Sequence, residues 1–174
     1  MCDISINTEN GRFIYRSAGL ILKENQVLLI TEEGLDFWFL PGGRTQLLEH
    51  SKAAAGREVA EELHVEPTVE RLLWIGEYMY FLKHRQTMCH NIDFVYLCQL
   101  PPDSAILSEP SGVREDIFNA NNRVNIFKWF DIDKLHEIQI LPPFLSNAIK
   151  DLPKEPKYIY TPLSIVEPKL QEKV

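Results

Sequence analysis

The fold is predicted most directly from residues 43–65, GRTQLLEHSKAAAGREVAEELHV. Small and apolar residues recur at helical spacing over 51–64, so this segment is predicted to form an α-helix with one packed stripe. Ser51 is a suitable residue to cap the start of that helix. Gly56 lies on the packed stripe, where a glycine indicates the close approach of another backbone. Three glutamates fall together on the opposite side: Glu58, Glu61 and Glu62.

The acidic side of the helix allows two interpretations. The glutamates are spaced i, i+3 and i+4, which brings their Cβ atoms to within about 5–6 Å of one another and destabilises the helix by a few tenths of a kcal/mol per pair. They form either a solvated acidic face or a carboxylate cluster that binds Mg²⁺ or Mn²⁺, hard cations that prefer oxygen ligands. Three glutamates without other signals favour the solvated face. The residues before the helix are therefore needed to distinguish the two interpretations.

The whole stretch resembles the Nudix box, G-x5-E-x7-R-E-U-x-E-E-x-G-U, in which U is apolar. The fixed letters of that pattern are matched by Gly43, Glu49, Arg57, Glu58, Glu61 and Glu62. One position departs from it, because His64 stands where the family usually has a glycine in a left-handed conformation that ends the helix. With the approach through Leu40 and Pro41, the resemblance extends over most of residues 12–150.

The resemblance implies an α/β Nudix fold, in which a mixed β-sheet is sandwiched between α-helices. It also implies the metal ligands, which are Glu58, Glu61, Glu62 and the backbone carbonyl of Gly42. Arg57 would hold the carboxylates in place through ion pairs with Glu49 and Glu61, a role that suits the rigid fork of arginine. Gly43 would let the backbone approach the pyrophosphate, and Arg16 and Arg44 are candidate substrate-binding residues, with surface ion pairs as the alternative.

The function implied is that of a Mg²⁺- or Mn²⁺-dependent hydrolase. Such an enzyme cleaves the pyrophosphate bond of a nucleoside diphosphate linked to another moiety, by attack of water at phosphorus. A nucleotide sugar, a dinucleoside polyphosphate and a noncanonical nucleoside triphosphate all remain open as substrates. Phe81 stands where the family's ADP-ribose hydrolases often have a proline. The alternative function is a catalytically inactive nucleotide-binding or regulatory Nudix module, but such modules usually have a broken R-E-U-x-E-E core, which is intact here.

An additional carboxylate is expected outside the box, because many Nudix enzymes use one as a metal ligand or general base. Near the start of the strand predicted at 124–130, Asn125 occupies the first position to inspect and is no carboxylate. Glu115 and Asp116 are the nearest acids upstream. They lie in segment 101–123, which shows no clear pattern and is predicted to be a mobile loop. These acids are either a solvated charge cluster on that loop or, if the loop closes over substrate, a source of the additional base.

Composition excludes several other classes of protein. The chain has 174 residues and a net charge of −7, so nothing favours binding to a nucleic-acid duplex or an anionic membrane. No apolar run approaches the roughly 20 residues of a membrane helix, and the N-terminus shows no signal-peptide pattern. Three cysteines without C-x-x-C spacing fit a reducing cytoplasm.

The remaining pattern predicts a single domain over 1–152. Its strands are predicted at 13–22, 27–31, 37–40, 68–82, 89–99 and 124–130, with the strand at 89–99 central in the sheet because both of its faces are apolar. A second helix is predicted at 142–152. Residues 153–174 carry four of the eleven prolines and are predicted to be an extended tail that packs on this domain or on a partner subunit, which leaves a homodimer open.

Overall fold

The computed structural model describes residues 2–82, 86–115 and 124–166. Two α-helices are present in these residues, α1 (Ser51–Leu63) and the short α2 (Leu145–Ala148), together with 3₁₀-helices at Ala105–Leu107 and Ile132–Glu137. The strands are β1 (Ser5–Thr8), β2 (Gly11–Lys23), β3 (Gln26–Glu32), β4 (Gly42–Arg44), β5 (Thr68–Leu82), β6 (Thr87–Gln99), β7 (Ser111–Glu115), β8 (Val124–Asp131) and β9 (Lys157–Val166).

The strands form one mixed sheet in the order β7-β8-β3-β2-β6-β5-β9, with β1 and β4 also paired to β2. Strand β2 runs parallel to β6, and β5 runs parallel to β9, while the other pairs are antiparallel. The prediction that the strand at 89–99 is central is confirmed, since β6 lies between β2 and β5. Its position explains why both of its faces are apolar.

Helical segments cover both faces of the sheet. Side chains alternate across β2, so Leu20 and Ile21 belong to two separate apolar cores. Helix α1 packs Val59 and Leu63 into the core that contains Ile21. Helix α2 and the 3₁₀-helix at Ile132–Glu137 pack on the opposite side, in the core that contains Leu20. The predicted fold, a mixed sheet between helices, is therefore confirmed.

Three predicted elements differ from the structure. Residues 37–40 form isolated bridges, Ile30 to Phe39 and Trp38 to Ile140, and no continuous strand. The helix predicted at 142–152 is wrong in length, because α2 ends at Ala148. Its hydrogen bonds change there to the tighter 3₁₀ type, from the Lys150 amide to the Asn147 carbonyl.

The prediction of a structureless segment at 101–123 is wrong for residues 105–107 and 111–115. A 3₁₀-helix at Ala105–Leu107 and strand β7 occupy this part of the chain, and β7 pairs antiparallel with β8. Strand β7 is only five residues long and lies at the edge of the sheet, so its sequence gives little alternation to detect. Residues 116–123 lie outside the described part of the chain.

Part of the predicted tail contributes to the sheet. Strand β9 pairs in parallel with β5, and Ile159 packs against the core that contains Leu20. The domain boundary at residue 152 and a contact of the tail with a partner subunit stay predictions. Among the helices of the described residues, none is long and apolar enough to cross a membrane.

Candidate active site

Helix α1 presents the acidic residues toward the β4 backbone. The helix begins at Ser51, directly after His50, and neither of these side chains caps it. Ser51 Oγ is instead 2.7 Å from Tyr96 Oη. The capping role predicted for Ser51 is therefore wrong. His64 ends the helix in the left-handed conformation, at φ 56° and ψ 36°, so it takes the backbone geometry for which the family uses glycine.

The packed side of α1 also differs in one respect from the sequence expectation. A Cβ atom at Gly56 would lie 3.1 Å from Val69 Cγ2, which is a side-chain atom of β5. The expectation that another backbone approaches Gly56 is thus wrong, since a side chain fills the space. The helix nevertheless packs closely on the sheet at this position, where a small shift of the Val69 side chain would admit a methyl group.

Arg57 is the centre of the carboxylate cluster. Its Nε and Nη2 donate to the two oxygens of Glu49, at 2.8 and 3.0 Å, in a bidentate pair. Its Nη1 donates to Glu58 Oε1 at 2.7 Å and to Glu61 Oε2 at 3.1 Å. Nη2 also reaches the Arg44 carbonyl at 3.1 Å. A single guanidinium thus orients three carboxylates and fixes α1 to the end of β4.

Two consecutive glycines bring the β4 backbone against the other side of the cluster. The amide of Gly42 donates to Glu62 Oε2 at 2.7 Å. A Cβ atom at Gly43 would lie 2.2 Å from Glu58 Oε2, so no other residue fits there without displacing that carboxylate. Gly42 has a φ of 154°, and a Cβ atom there would lie 2.5 Å from the Ser17 carbonyl oxygen. The backbone at this point and the α1 carboxylates are therefore in direct contact.

The electrostatics of the cluster are those of crowded, partly buried carboxylates. Burial raises the pKa of Glu58 above its usual value, although Arg57 opposes this effect. The hydrogen bond from Arg57 lowers the pKa of Glu49, and the bond to Glu49 raises the pKa of Arg57. Counting Glu49, Glu58, Glu61 and Glu62 against Arg57 leaves a charge of about −3 when all are ionised.

Alanine at Gly43 tests the closeness of this contact. We expect Gly43→Ala to displace the Glu58 carboxylate and to lower activity by at least about tenfold, the scale of a lost positioning contact. Gly56→Ala is the matched control, because its Cβ would meet a side chain that can shift and because alanine favours a helix by about 1 kcal/mol. Steady-state rates and melting temperatures of both variants check this, and wild-type activity in Gly43→Ala would contradict the arrangement.

The two arginines expected at the substrate lie in different surroundings. Arg16 is directed into the protein, where Nη1 is 3.2 Å from Asp93 Oδ2 and Nη2 donates to the carbonyls of Leu40 and Gly42, both at 2.8 Å. Arg44 pairs with Asp3 at 2.8 Å on the surface, and both side chains are substantially exposed. Arg44 thus makes the surface ion pair that was the alternative to substrate contact.

The additional carboxylates are only partly described. Glu115 is the last residue of β7, which contacts α1, and its backbone pairs with Val124. Asp116 lies outside the described residues. Asn125 lies in β8 and is 4% exposed. Its side chain is an amide, which cannot serve as the additional carboxylate. Strand β7 thus lies against α1, and a role of Glu115 or Asp116 in the site stays a prediction.

Sequence reasoning missed the buried network that adjoins the site. Asp93 is 0% exposed and accepts a hydrogen bond of 2.9 Å from the Tyr78 hydroxyl, which accepts one of 3.2 Å from the Asn91 amide. The available signal was an aspartate between Ile92 and Phe94 in a strand predicted to be central. A charge at such a position needs a buried partner, which is Arg16.

Three solved structures illustrate the proteins whose fold is similar to that of this chain. A UDP-X diphosphatase matches with a TM-score of 0.51 and 21% identity, over 74% of this chain and 54% of that one, so the chain spans about half of its length. An ADP-ribose pyrophosphatase from Streptococcus suis 89-1591 matches with a TM-score of 0.52 and 20% identity, over 83% of this chain and 98% of that one. A MutT protein from Bacillus halodurans matches with a TM-score of 0.53 and 15% identity, over 87% of this chain and 89% of that one.

These identities show a common fold, and the sequence itself provides the assignment to a family. No curated protein sequence matches the chain. The family model of the NUDIX domain matches residues 14–152, which covers most of the chain, including β4, α1 and the carboxylate cluster. The chain therefore belongs to the Nudix family of hydrolases.

Proposed function

We propose that the protein is a Mg²⁺- or Mn²⁺-dependent pyrophosphohydrolase that cleaves a nucleoside diphosphate linked to another moiety. The observation that carries this proposal is the assembly of Glu49, Glu58 and Glu61 around Arg57, with Glu62 bonded to Gly42. A solvated acidic face would have no such organisation. Here one arginine and two glycines hold the carboxylates beside a backbone turn.

The carboxylates fit a hard divalent cation by their chemistry. Oxygen donors from Glu58, Glu61 and Glu62 are the type that Mg²⁺ and Mn²⁺ prefer. Burial of Glu58 beside Glu61 makes its ionised form costly, and a cation would offset that cost. Within the described residues no three acidic, histidine or cysteine side chains already surround a common point. Binding therefore requires these side chains to adjust so that their oxygens converge on the cation.

The protein's own residues would orient the reaction. A bound divalent cation would neutralise the pyrophosphate charge and lower the pKa of the attacking water. Arg57 restricts the rotamers of Glu58 and Glu61, which reduces the reorganisation needed when the substrate arrives. A carboxylate accepts the proton of the water as its oxygen attacks phosphorus, and two phosphorylated products leave.

The substrate remains one of three classes, namely a nucleotide sugar, a dinucleoside polyphosphate or a noncanonical nucleoside triphosphate. The solved structures of similar fold include a UDP-X diphosphatase and an ADP-ribose pyrophosphatase, which supports a substrate with a central pyrophosphate. Phe81 lies in β5, opposite Met88, at the position where ADP-ribose hydrolases of the family often have proline. A direct assay separates the three classes.

A panel assay tests this function. Purified protein is incubated with members of the three substrate classes, with Mg²⁺, with Mn²⁺ or with a chelator, and the products are identified by mass spectrometry. We expect cleavage into two phosphorylated products with either metal and none with the chelator. Nucleotide binding without product under every condition would identify the alternative, an inactive nucleotide-binding module.

The dependence of activity on pH follows from the burial of Glu58. Its raised pKa means that it stays protonated, and a poor cation ligand, to a higher pH than an ordinary glutamate. Activity should therefore increase from acidic pH and continue to rise above neutral pH as the water becomes easier to deprotonate. A pH–rate profile at saturating Mg²⁺ checks this, and a maximum at about pH 5, close to an ordinary glutamate pKa, would contradict it.

Glu115 and Asp116 are proposed as additional bases. We expect Glu115→Gln or Asp116→Asn to lower kcat by about 10²-fold, the lower scale of a general base. Mn²⁺ affinity should stay close to that of the wild type, because the three α1 glutamates remain. Rates at saturating substrate and a Mn²⁺ titration separate the two effects. If both variants turn over at the wild-type rate, the base is one of the α1 glutamates.

The cellular location is proposed to be the cytoplasm. Cys2 is exposed and Cys89 and Cys98 are buried, and all three are free thiols. Free thiols support a reducing compartment. The proposed partner is a small nucleotide, and a homodimer stays a prediction.

A further inference from the structure

The buried ion pair between Arg16 and Asp93 has no role in the reaction described above. Asp93 lies on β6 directly opposite Arg16 on β2, and it is fully buried, while the Arg16 side chain is 14% exposed. The Tyr78 hydroxyl donates to the same oxygen of Asp93 that Arg16 contacts. A charged pair at this depth needs a physical explanation, because desolvation of two ions is costly.

Stability is a poor explanation for the pair. A buried ion pair is often replaced by apolar residues of similar volume without loss of stability. Among the described residues, no protein group pairs with Asp93 Oδ1 or with Asn91 Oδ1. Burial of these acceptors adds to the desolvation cost of the ion pair, so folding stability alone does not account for it.

The second amino group of Arg16 shows what the pair contacts. Nη2 donates to the carbonyls of Leu40 and Gly42, both at 2.8 Å, and so holds the turn that enters β4. The amide of the same Gly42 donates to Glu62 Oε2 at 2.7 Å. Gly42 is thus bonded on its carbonyl side to Arg16 and on its amide side to a carboxylate of α1.

We propose that Asp93 and Arg16 are positioning residues that hold the turn at Leu40–Gly42 and, through the Gly42 amide, fix the orientation of Glu62. The carboxylate of Asp93 fixes the guanidinium of Arg16, and the two hydrogen bonds from Arg16 Nη2 fix the turn. The Gly42 amide of that turn then donates to Glu62. Arg16 acts through the backbone and does not contact the substrate. The functional part of this inference rests on the proposed hydrolase activity, while the structural part does not.

The test is a double variant, Arg16→Met with Asp93→Leu, which replaces the ion pair by an apolar pair of similar volume. Amide exchange of Gly42 is measured by NMR on the metal-free protein, because loss of the turn exposes this amide to solvent. We expect exchange at Gly42 to accelerate at least about tenfold while the melting temperature stays near that of the wild type. Catalytic kcat should fall by about 10–100-fold, the cost of removing a residue that orients a ligand, with KM unchanged.

One control and one further variant make the result specific. Trp129→Phe removes another buried hydrogen bond, the one from Nε1 to the Ile106 carbonyl, and should not change exchange at Gly42. Arg16→Lys keeps a positive charge for Asp93 and loses the fork, so Gly42 exchange should increase less than in the double variant. If the double variant does not fold, the lysine variant provides the same readout.

Failure of this inference can be distinguished from failure of the proposed hydrolase activity. Unchanged Gly42 exchange in both Arg16 variants overturns the inference, whatever the activity. A higher KM with unchanged exchange also overturns it, and would place Arg16 at the substrate. A wild-type protein without turnover would refute the hydrolase proposal, and exchange at Gly42 would still decide whether Arg16 and Asp93 hold the turn.

Discussion

Glu62→Gln is expected to lower the rate of hydrolysis by at least about 10²-fold, with little change in melting temperature. The substitution keeps the size and helix propensity of the residue and removes a charged oxygen ligand. The amide oxygen of glutamine can still accept the 2.7 Å hydrogen bond from Gly42, so the loop and helix stay together. The expected loss of rate is therefore in the chemical step, and its size is that of one positioned catalytic group.

Glu66→Gln is the matched control for this variant. Glu66 follows the end of α1 and is exposed, so it makes the same change in charge without touching the carboxylate cluster. Both variants are compared by kcat, by Mn²⁺ titration and by thermal unfolding. Near-wild-type turnover of Glu62→Gln would refute the catalytic role of the cluster and leave the acidic face without a function.

The second large effect is expected for Arg57→Lys. Lysine has one ammonium group and no planar fork, so it cannot bond both oxygens of Glu49 while also reaching Glu58 and Glu61. We expect activity to fall by about 10–100-fold, because residues that orient metal ligands contribute on that scale. The melting temperature should fall by about 2–4 °C, since the pair is partly exposed and its loss costs about 1 kcal/mol.

Arg71→Lys is the control for that substitution. Arg71 makes a hydrogen bond from Nη1 to the Pro153 carbonyl, away from the cluster, and lysine can supply one donor there. This control should retain wild-type activity. If Arg57→Lys has the same activity as Arg71→Lys, the guanidinium does not organise the site, and the account of its geometry is wrong.

Much of the fold follows from local sequence signals. Helix α1 and strands β2, β3, β5, β6 and β8 have long apolar patterns with clear ends, and they form close to where those patterns predict them. His64 illustrates how backbone geometry tolerates a change of residue, because it adopts the left-handed conformation that the pattern assigns to glycine. Such features depend on residues that are neighbours in the sequence, so they can be predicted from the sequence.

Features that depend on tertiary partners were not predictable in this way. Strand β9 pairs with the edge of β5 although Pro162 interrupts its pattern of strand-forming residues. Strand β7 pairs with β8 although it is only five residues long. Arg16 is the clearest case at the site. The sequence identifies a basic residue in the first long strand, but only the position of Asp93 across the sheet shows that its guanidinium is directed inward.

Metal-dependent hydrolysis of a pyrophosphate is tested by a ³¹P NMR time course of the wild-type protein in ¹⁸O-labelled water, with the best substrate of the panel. We expect the pyrophosphate signal to disappear only when Mg²⁺ or Mn²⁺ is present, and ¹⁸O to appear on phosphorus in one of two phosphorylated products. Cleavage in the presence of a chelator, or products whose phosphorus carries no label, would contradict it.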